Sequence, residues 1–192
     1  MPLIGGGWKF WVLRLTAMGW LAIGQREAAL ATFSRLLQRW PDSAYGLASR
    51  AHVQAQLGRT EQAIADASRL VALHPRRSAT DWFNLAYLLE QAQRHAGAEM
   101  AFREAVALDP MLDRAWYGLG LVLIRQQRWP EAIEALTRNT ELQPMSPYGW
   151  YHLARLHVER RQPEDARKII RHLRAFEPRV AAQLQRETGL VP

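Results

Sequence analysis

Proline recurs along this chain at an interval too regular for a domain built from one-off elements. Pro41, Pro75, Pro110, Pro144 and Pro178 are separated by 34, 35, 34 and 34 residues. A fixed period of that size marks a repeat array, in which each unit buries its apolar face against the next. Laid over itself at this period, the chain gives segments 10–43, 44–77, 79–112, 113–146 and 147–180, with Ser78 as one inserted residue. Other columns keep the register. One reads Leu13, Leu47, Trp82, Trp116, Trp150, and four residues later comes a small column, Ala17, Ala51, Ala86, Gly120, Ala154. Twelve further on, Ala29, Ala63, Ala98, Ala132 and Ala166 give alanine five times, followed by Phe33, Ala67, Phe102, Leu136 and Ile170.

Within a segment the apolar positions recur three, four and seven apart, the helical period, and no strand pattern interrupts them. Between the two small columns lie turn residues: Gly24-Gln25, Gly58-Arg59, Gln93-Arg94, Gln127-Arg128 and Arg161-Gln162. Each segment therefore reads as helix A, a tight turn and helix B, with the small residues marking where two helix backbones approach closely. Each proline stops helix B, because the residue before it is pushed out of α geometry. Asp42-Ser43, Ser78, Asp113 and Ser146-Pro147 then offer capping oxygens for the next helix A, and Pro130 and Pro163 suit the start of helix B. Residues 179–187 read as a closing helix, with Val180, Ala181 and Leu184 turned inward and Gly189 as its stop. The expected layout is an extension at 1–9, five repeats over 10–180, and a capping helix with tail at 181–192.

The W-x-x-L-G/A, then A, then F/L, then P pattern on this period resembles the tetratricopeptide repeat family. Trp82, Leu85, Ala86, Ala98, Phe102, Ala105 and Pro110 carry it in the third segment, and Trp116, Leu119, Gly120, Ala132, Leu136 and Pro144 in the fourth. The fifth keeps Trp150, Leu153, Ala154, Ala166, Leu173 and Pro178. The first two depart from it: Thr16 and Arg50 replace the leucine of that column and Ala67 the large residue, while in the fourth Asn139 stands where sister repeats have Leu36, Leu70 and Leu173. The resemblance implies an all-α, right-handed superhelical solenoid of antiparallel helix pairs, with the A helices lining a concave groove.

It also implies which positions face that groove. These include Tyr45 and His52 in the second repeat, Phe83, Asn84 and Tyr87 in the third, Arg114 and Tyr117 in the fourth, and Tyr148, Tyr151, His152 and Arg155 in the fifth. All five tyrosines of the chain fall in these columns. Tyrosine offers apolar area with a hydroxyl at modest entropic cost, Asn84 can bond a peptide backbone both ways, and Arg114 and Arg155 can take a carboxylate. Gly118, in the same set, reads as room for a ligand. The expectation is a non-catalytic adaptor or assembly factor holding a peptide or helical segment of an acidic partner protein. The carboxylate clamp of chaperone-binding relatives is largely absent, since Ala48, His52 and Gly118 occupy three of its positions.

Composition narrows the alternatives. The 192 residues contain no cysteine, which excludes disulfides, thiolate metal sites and a cysteine nucleophile. Glu131 and Glu134 after Pro130, and Glu164 and Asp165 after Pro163, read as first-turn acids favoured by the helix dipole rather than as catalytic pairs. His152 and His157 fall on different helix faces, and Gly5-Gly6-Gly7 lacks the context of a phosphate loop. Neither enzyme activity, cofactor nor metal is expected. The net charge of +7 is almost all arginine. Between Arg155 and Arg179, eight basic residues face four acidic ones, a surface that could meet phosphates, although a solvated helix exterior is the simpler reading and nucleic acid is not the expected partner.

The N-terminal stretch is the remaining anomaly. Its longest uncharged run after Arg14 is Leu15–Gln25, 11 residues, against the roughly 20 a bilayer span requires. Lys9 and Arg14 interrupt its apolar residues, unlike a signal peptide. A cytoplasmic location is expected, with any membrane contact indirect. Trp8, Phe10, Trp11 and Trp20 form a candidate second docking surface, through which the chain would sit as a structural subunit in a larger, membrane-peripheral complex.

Overall fold

The computed structural model describes residues 7–190; residues 1–6 of the expected extension and residues 191–192 of the tail lie outside the described residues. Eleven helices and no strand occur among the described residues. They form two compact units, the first ending at Arg94 and the second beginning at His95. The first holds α1 (Gly7–Ala22), α2 (Arg26–Arg39), α3 (Ala44–Gln56), α4 (Thr60–Leu73) and α5 (Ala79–Gln91). The second holds α6 (His95–Leu108), α7 (Asp113–Arg125), α8 (Trp129–Leu142), α9 (Pro147–Glu159), α10 (Pro163–Phe176) and α11 (Pro178–Thr188). Inside each unit every helix packs on its sequence neighbour, and α11 packs on both α9 and α10. This is the all-α, antiparallel-pair architecture of the tetratricopeptide class. Among the described residues no helix is long and apolar enough to cross a membrane.

Each A-to-B turn uses one left-handed residue: Gly24, Gly58, Gln93, Gln127 and Arg161, with φ between 57° and 76°. The next residue donates its N–H five residues back, Gln25 to the Trp20 carbonyl at 2.8 Å, Arg59 to Gln54 at 2.9 Å, Arg94 to Leu89 at 2.8 Å, Arg128 to Leu123 at 3.0 Å and Gln162 to His157 at 2.8 Å. This bonding satisfies carbonyls that a helix end leaves without partners. Three turns adopt it without glycine, at a backbone cost of about 1 kcal/mol each.

The small columns sit where the sequence pattern places them. Ala29, Ala63, Ala98, Ala132 and Ala166 are all fully buried, as are Ala17, Ala86 and Ala154. A Cβ added at Gly120 would stand 2.7 Å from Leu136 Cγ. The tryptophan column does more than fill space. The indole N–H of Trp82 donates to the Pro75 carbonyl at 2.8 Å, Trp116 to Pro110 at 2.9 Å and Trp150 to Pro144 at 2.9 Å. The two most regular features of the pattern thus bond to each other, and the Trp82 pair accommodates the inserted Ser78. Pro178 departs from its four sisters. Only Glu177 separates it from the end of α10, and it opens α11, where its fixed φ and missing N–H do no harm.

Two departures from the repeat pattern are compensated. Arg50, in place of leucine, holds the buried Asp66 carboxylate through Nε at 2.6 Å and Nη2 at 2.7 Å. Asn139 donates from Nδ2 to the Asp113 carbonyl at 3.0 Å, and its Oδ1 fills the space a side chain at Gly149 would need. On the B helices of the second unit, Arg103 and Arg128 both bond Glu99 and Glu131. Burial alone would raise the Glu99 pKa, but the bonds from Arg103, Arg128 and Gln126 outweigh it and hold the carboxylate below its usual range.

Replacing Trp116 with Phe keeps the ring and removes the donor to Pro110. Chemical denaturation should show a loss of about 1 kcal/mol, the net worth of one hydrogen bond. Trp8→Phe, at an exposed site, should leave the midpoint unchanged.

Candidate interaction surfaces

The residues assigned to a groove divide between the two units. In the first, Tyr45 leaves α3 toward α1 and α2. Its ring lies 6.2 Å from Phe10 and 6.1 Å from Phe33, centroid to centroid, with the Arg14 guanidinium 4.5 Å above it. Its hydroxyl is shielded and has no hydrogen-bond partner, so Tyr45 is engaged in packing. His52 is exposed and pairs with Gln56 at 3.0 Å, whose Oε1 accepts from Arg26 at 3.0 Å. On α5, Phe83 is half-buried, whereas Asn84 and Tyr87 are exposed.

In the second unit α7 and α9 bring Tyr117, Tyr148, Tyr151, His152 and Arg155 into one neighbourhood. The His152 ring lies 5.9 Å from Tyr117 and 5.3 Å from Tyr151. Burial, then the neighbouring Tyr148, pushes the Tyr117 phenol pKa up. Tyr148 itself is 68% exposed, and Arg114 is exposed at the start of α7. Arg155 lies against the Tyr151 ring at 5.7 Å. The Tyr151 hydroxyl donates to Glu187 Oε2 at 2.7 Å, so α11 reaches back onto this face. The bonds from Gln183 and Tyr151, followed by the field of Arg155, lower the Glu187 pKa. Gly118 offers no room here: a Cβ on it would stand 2.3 Å from Phe102 Cζ, so the helix beneath already occupies that space.

Beside these rings lies a cavity of about 350 Å³, lined by Ile124, Trp129, His152, Arg155, Leu156 and Glu159. Its apolar floor and charged rim have the make-up of a side-chain pocket. The sequence pattern missed Ile124 and Trp129, which stand at the end of α7 and the start of α8. The alternation of large and small columns gives no sign that the turn between these helices opens inward. The C-terminal basic face is partly neutralised, since Arg167 pairs with Glu164 and Lys168 with Asp165.

A third surface lies on α1, which buries only Ala17 completely. Phe10, Leu13 and Leu21 turn toward α2 and α3. Phe10 is half-buried, edge-on against Trp40 at 5.2 Å and beside the exposed Trp11 at 6.4 Å, so it joins the packing to the aromatic surface. The opposite face exposes Trp8, Trp11, Val12, Leu15 and Met18, with Ile23 just past the helix and Trp20 at its margin. Spacings of three and four place these on one stripe. The sequence reading named the aromatic members and passed over the aliphatic ones, although the same helical period marks them all.

A tetratricopeptide repeat family model matches residues 21–78, 48–111, 83–147 and 117–179, and the chain belongs to that family. No curated protein matches the sequence significantly. Among solved structures, the protein named MamA is similar with TM-score 0.81 and 19% identity, over 95% of this chain and 98% of that one. YrrB, described as a repeat protein of this family with an unusual peptide-binding site, has TM-score 0.79 and 16% identity over 88% of each chain. A tetratricopeptide repeat protein from Parabacteroides merdae has TM-score 0.82 and 18% identity, over 95% of this chain and 75% of that one. At these identities the likeness is one of fold. Neither the sequence nor the described residues hold a catalytic constellation, and no group of three metal-ligating side chains occurs among the described residues. The fold is that of a tetratricopeptide repeat array.

Burial, and secondarily Arg155, holds the His152 pKa below its ordinary 6.5. The unfolded chain therefore binds the extra proton first, and the stability His152 contributes declines as pH falls from 6.5 through the folded value. An NMR titration should place His152 below 6.5, and Arg155→Gln should move it partway back up.

Proposed function

We propose that this protein is a cytoplasmic, non-catalytic interaction scaffold that docks into a larger assembly through the outward face of α1. In this reading the segments 10–43, 44–77, 79–112, 113–146 and 147–180 act as its repeats, with 181–192 as cap and tail. The observation that carries it is the unbroken apolar stripe on α1, with Leu15 66% and Trp8 60% exposed. Large apolar groups standing in water along one helix face mark an interaction surface. The cations beside the stripe, Lys9 over Trp8 at 5.8 Å and Arg14 over Trp11 at 4.8 Å, favour an anionic counterpart.

A second reading rests on the cavity between α7 and α9. His152, Arg155, Ile124, Trp129, Leu156 and Glu159 line a volume that fits one apolar side chain of a partner segment, the rings of Tyr117 and Tyr151 stand against His152, and Arg155 is available to a nearby carboxylate. Within the same unit, the exposed Arg114 of α7 would contribute a further polar contact. YrrB's peptide-binding site is a precedent on a similar fold.

Size-exclusion chromatography of a native cell extract separates the two. The tagged wild type should elute in a large assembly, and the Trp11→Ser/Leu15→Ser variant near monomer size. Elution of that variant with the assembly rules out docking through α1. Tyr117→Ala/Tyr151→Ala should leave the assembly intact and instead release a partner bound at the cavity.

A further inference from the structure

Resting on the α1 docking reading, we infer that the occupant of the α1 face is an anionic lipid surface, on which the helix lies flat. The stripe formed by Trp8, Trp11, Val12, Leu15 and Met18 runs about 15 Å along the helix at 1.5 Å per residue, with Ile23 just beyond its end, and it belongs to a described helix of 16 residues, too short to cross a bilayer. Tryptophan with leucine on one face and cations at the margin is the composition of a helix seated at the headgroup boundary. Lys9, exposed beside the Trp8 ring, is placed for that role, whereas Arg14 is half-buried and shared between the Trp11 and Tyr45 rings.

Charge separates a lipid surface from a second copy. The first acidic residue of the sequence is Glu27, and the first 40 residues hold Lys9, Arg14, Arg26, Arg35 and Arg39 against that one acid. Two copies joined stripe to stripe would bring these cations together with no acid on α1 to offset them. An anionic leaflet attracts each cation that lies near its surface by about 1 kcal/mol. Lipid contact in this form is direct, not mediated by other subunits.

Co-sedimentation of the full chain with vesicles provides the test. Wild type should pellet with phosphatidylcholine vesicles carrying about one-third phosphatidylglycerol, but weakly with phosphatidylcholine alone, and high salt should release it. Leu15→Ser/Met18→Ser should weaken partitioning at least tenfold, and Lys9→Glu about fivefold or more. Both alter exposed positions, so circular dichroism should stay unchanged. Equal binding to the two vesicle types, or none to either, overturns the proposal, as does a dimer by light scattering that Leu15→Ser/Met18→Ser dissolves. If vesicles fail yet the α1 variant still leaves the native assembly, docking through α1 stands with a protein as its occupant. If both fail, so does the docking reading.

Discussion

The close approach of paired helix backbones governs this molecule. At the five equivalent alanines from Ala29 to Ala166 no surface is left for solvent, and at Gly120 even a methyl would meet Leu136. Approach that close requires the two helices to leave the turn in one relative orientation, which the left-handed residue and its backbone bond five residues back impose. It also pushes bulky side chains out of the contact line. They collect beside it, where the indoles of Trp82, Trp116 and Trp150 bond proline carbonyls in the loop that leads into the same helix A. Turn, small column and Trp–Pro bond are successive consequences of one packing distance.

The elements of this scheme that repeat were legible in the sequence, because a periodic constraint writes itself five times. Helix count, the turn sites and the closing helix follow from column positions alone. Chemistry that depends on a neighbour from another element was not legible. Gly118 reads as open space until the Phe102 ring is found in it. Arg50 reads as a defect until Asp66, on the following helix, supplies its partner. Gln93, Gln127 and Arg161 carry no local signature of positive φ; only their alignment with Gly24 and Gly58 reveals it.

The same distinction explains why the tyrosines diverge. All five share a set of columns, so the pattern treats them alike. Tyr45, facing the aromatic residues of α1 and α2, is drawn into packing under Arg14. Tyr151, facing α11, gives its hydroxyl to Glu187. Tyr87 and Tyr148 remain largely open to solvent. Column identity fixes the direction in which a side chain leaves its helix, and the residue standing opposite decides whether it is free.

The first and last described helices treat an uncovered face in different ways. Each lacks a sequence neighbour on one side among the described residues, so each faces the same problem of an uncovered surface. α11 solves it with a short helix that buries Ala181 and Leu184 and leaves Arg179, Gln183, Arg186 and Glu187 outside. α1 does the opposite, turning Trp8, Trp11, Leu15 and Met18 outward while Phe10, Leu13 and Leu21 already satisfy the core. Nothing in the packing of α1 on α2 and α3 requires the outer residues to be apolar, because they touch neither helix's core. At about 25 cal/mol per Å² of apolar area, covering these side chains would be favourable, which supports the proposed docking through α1.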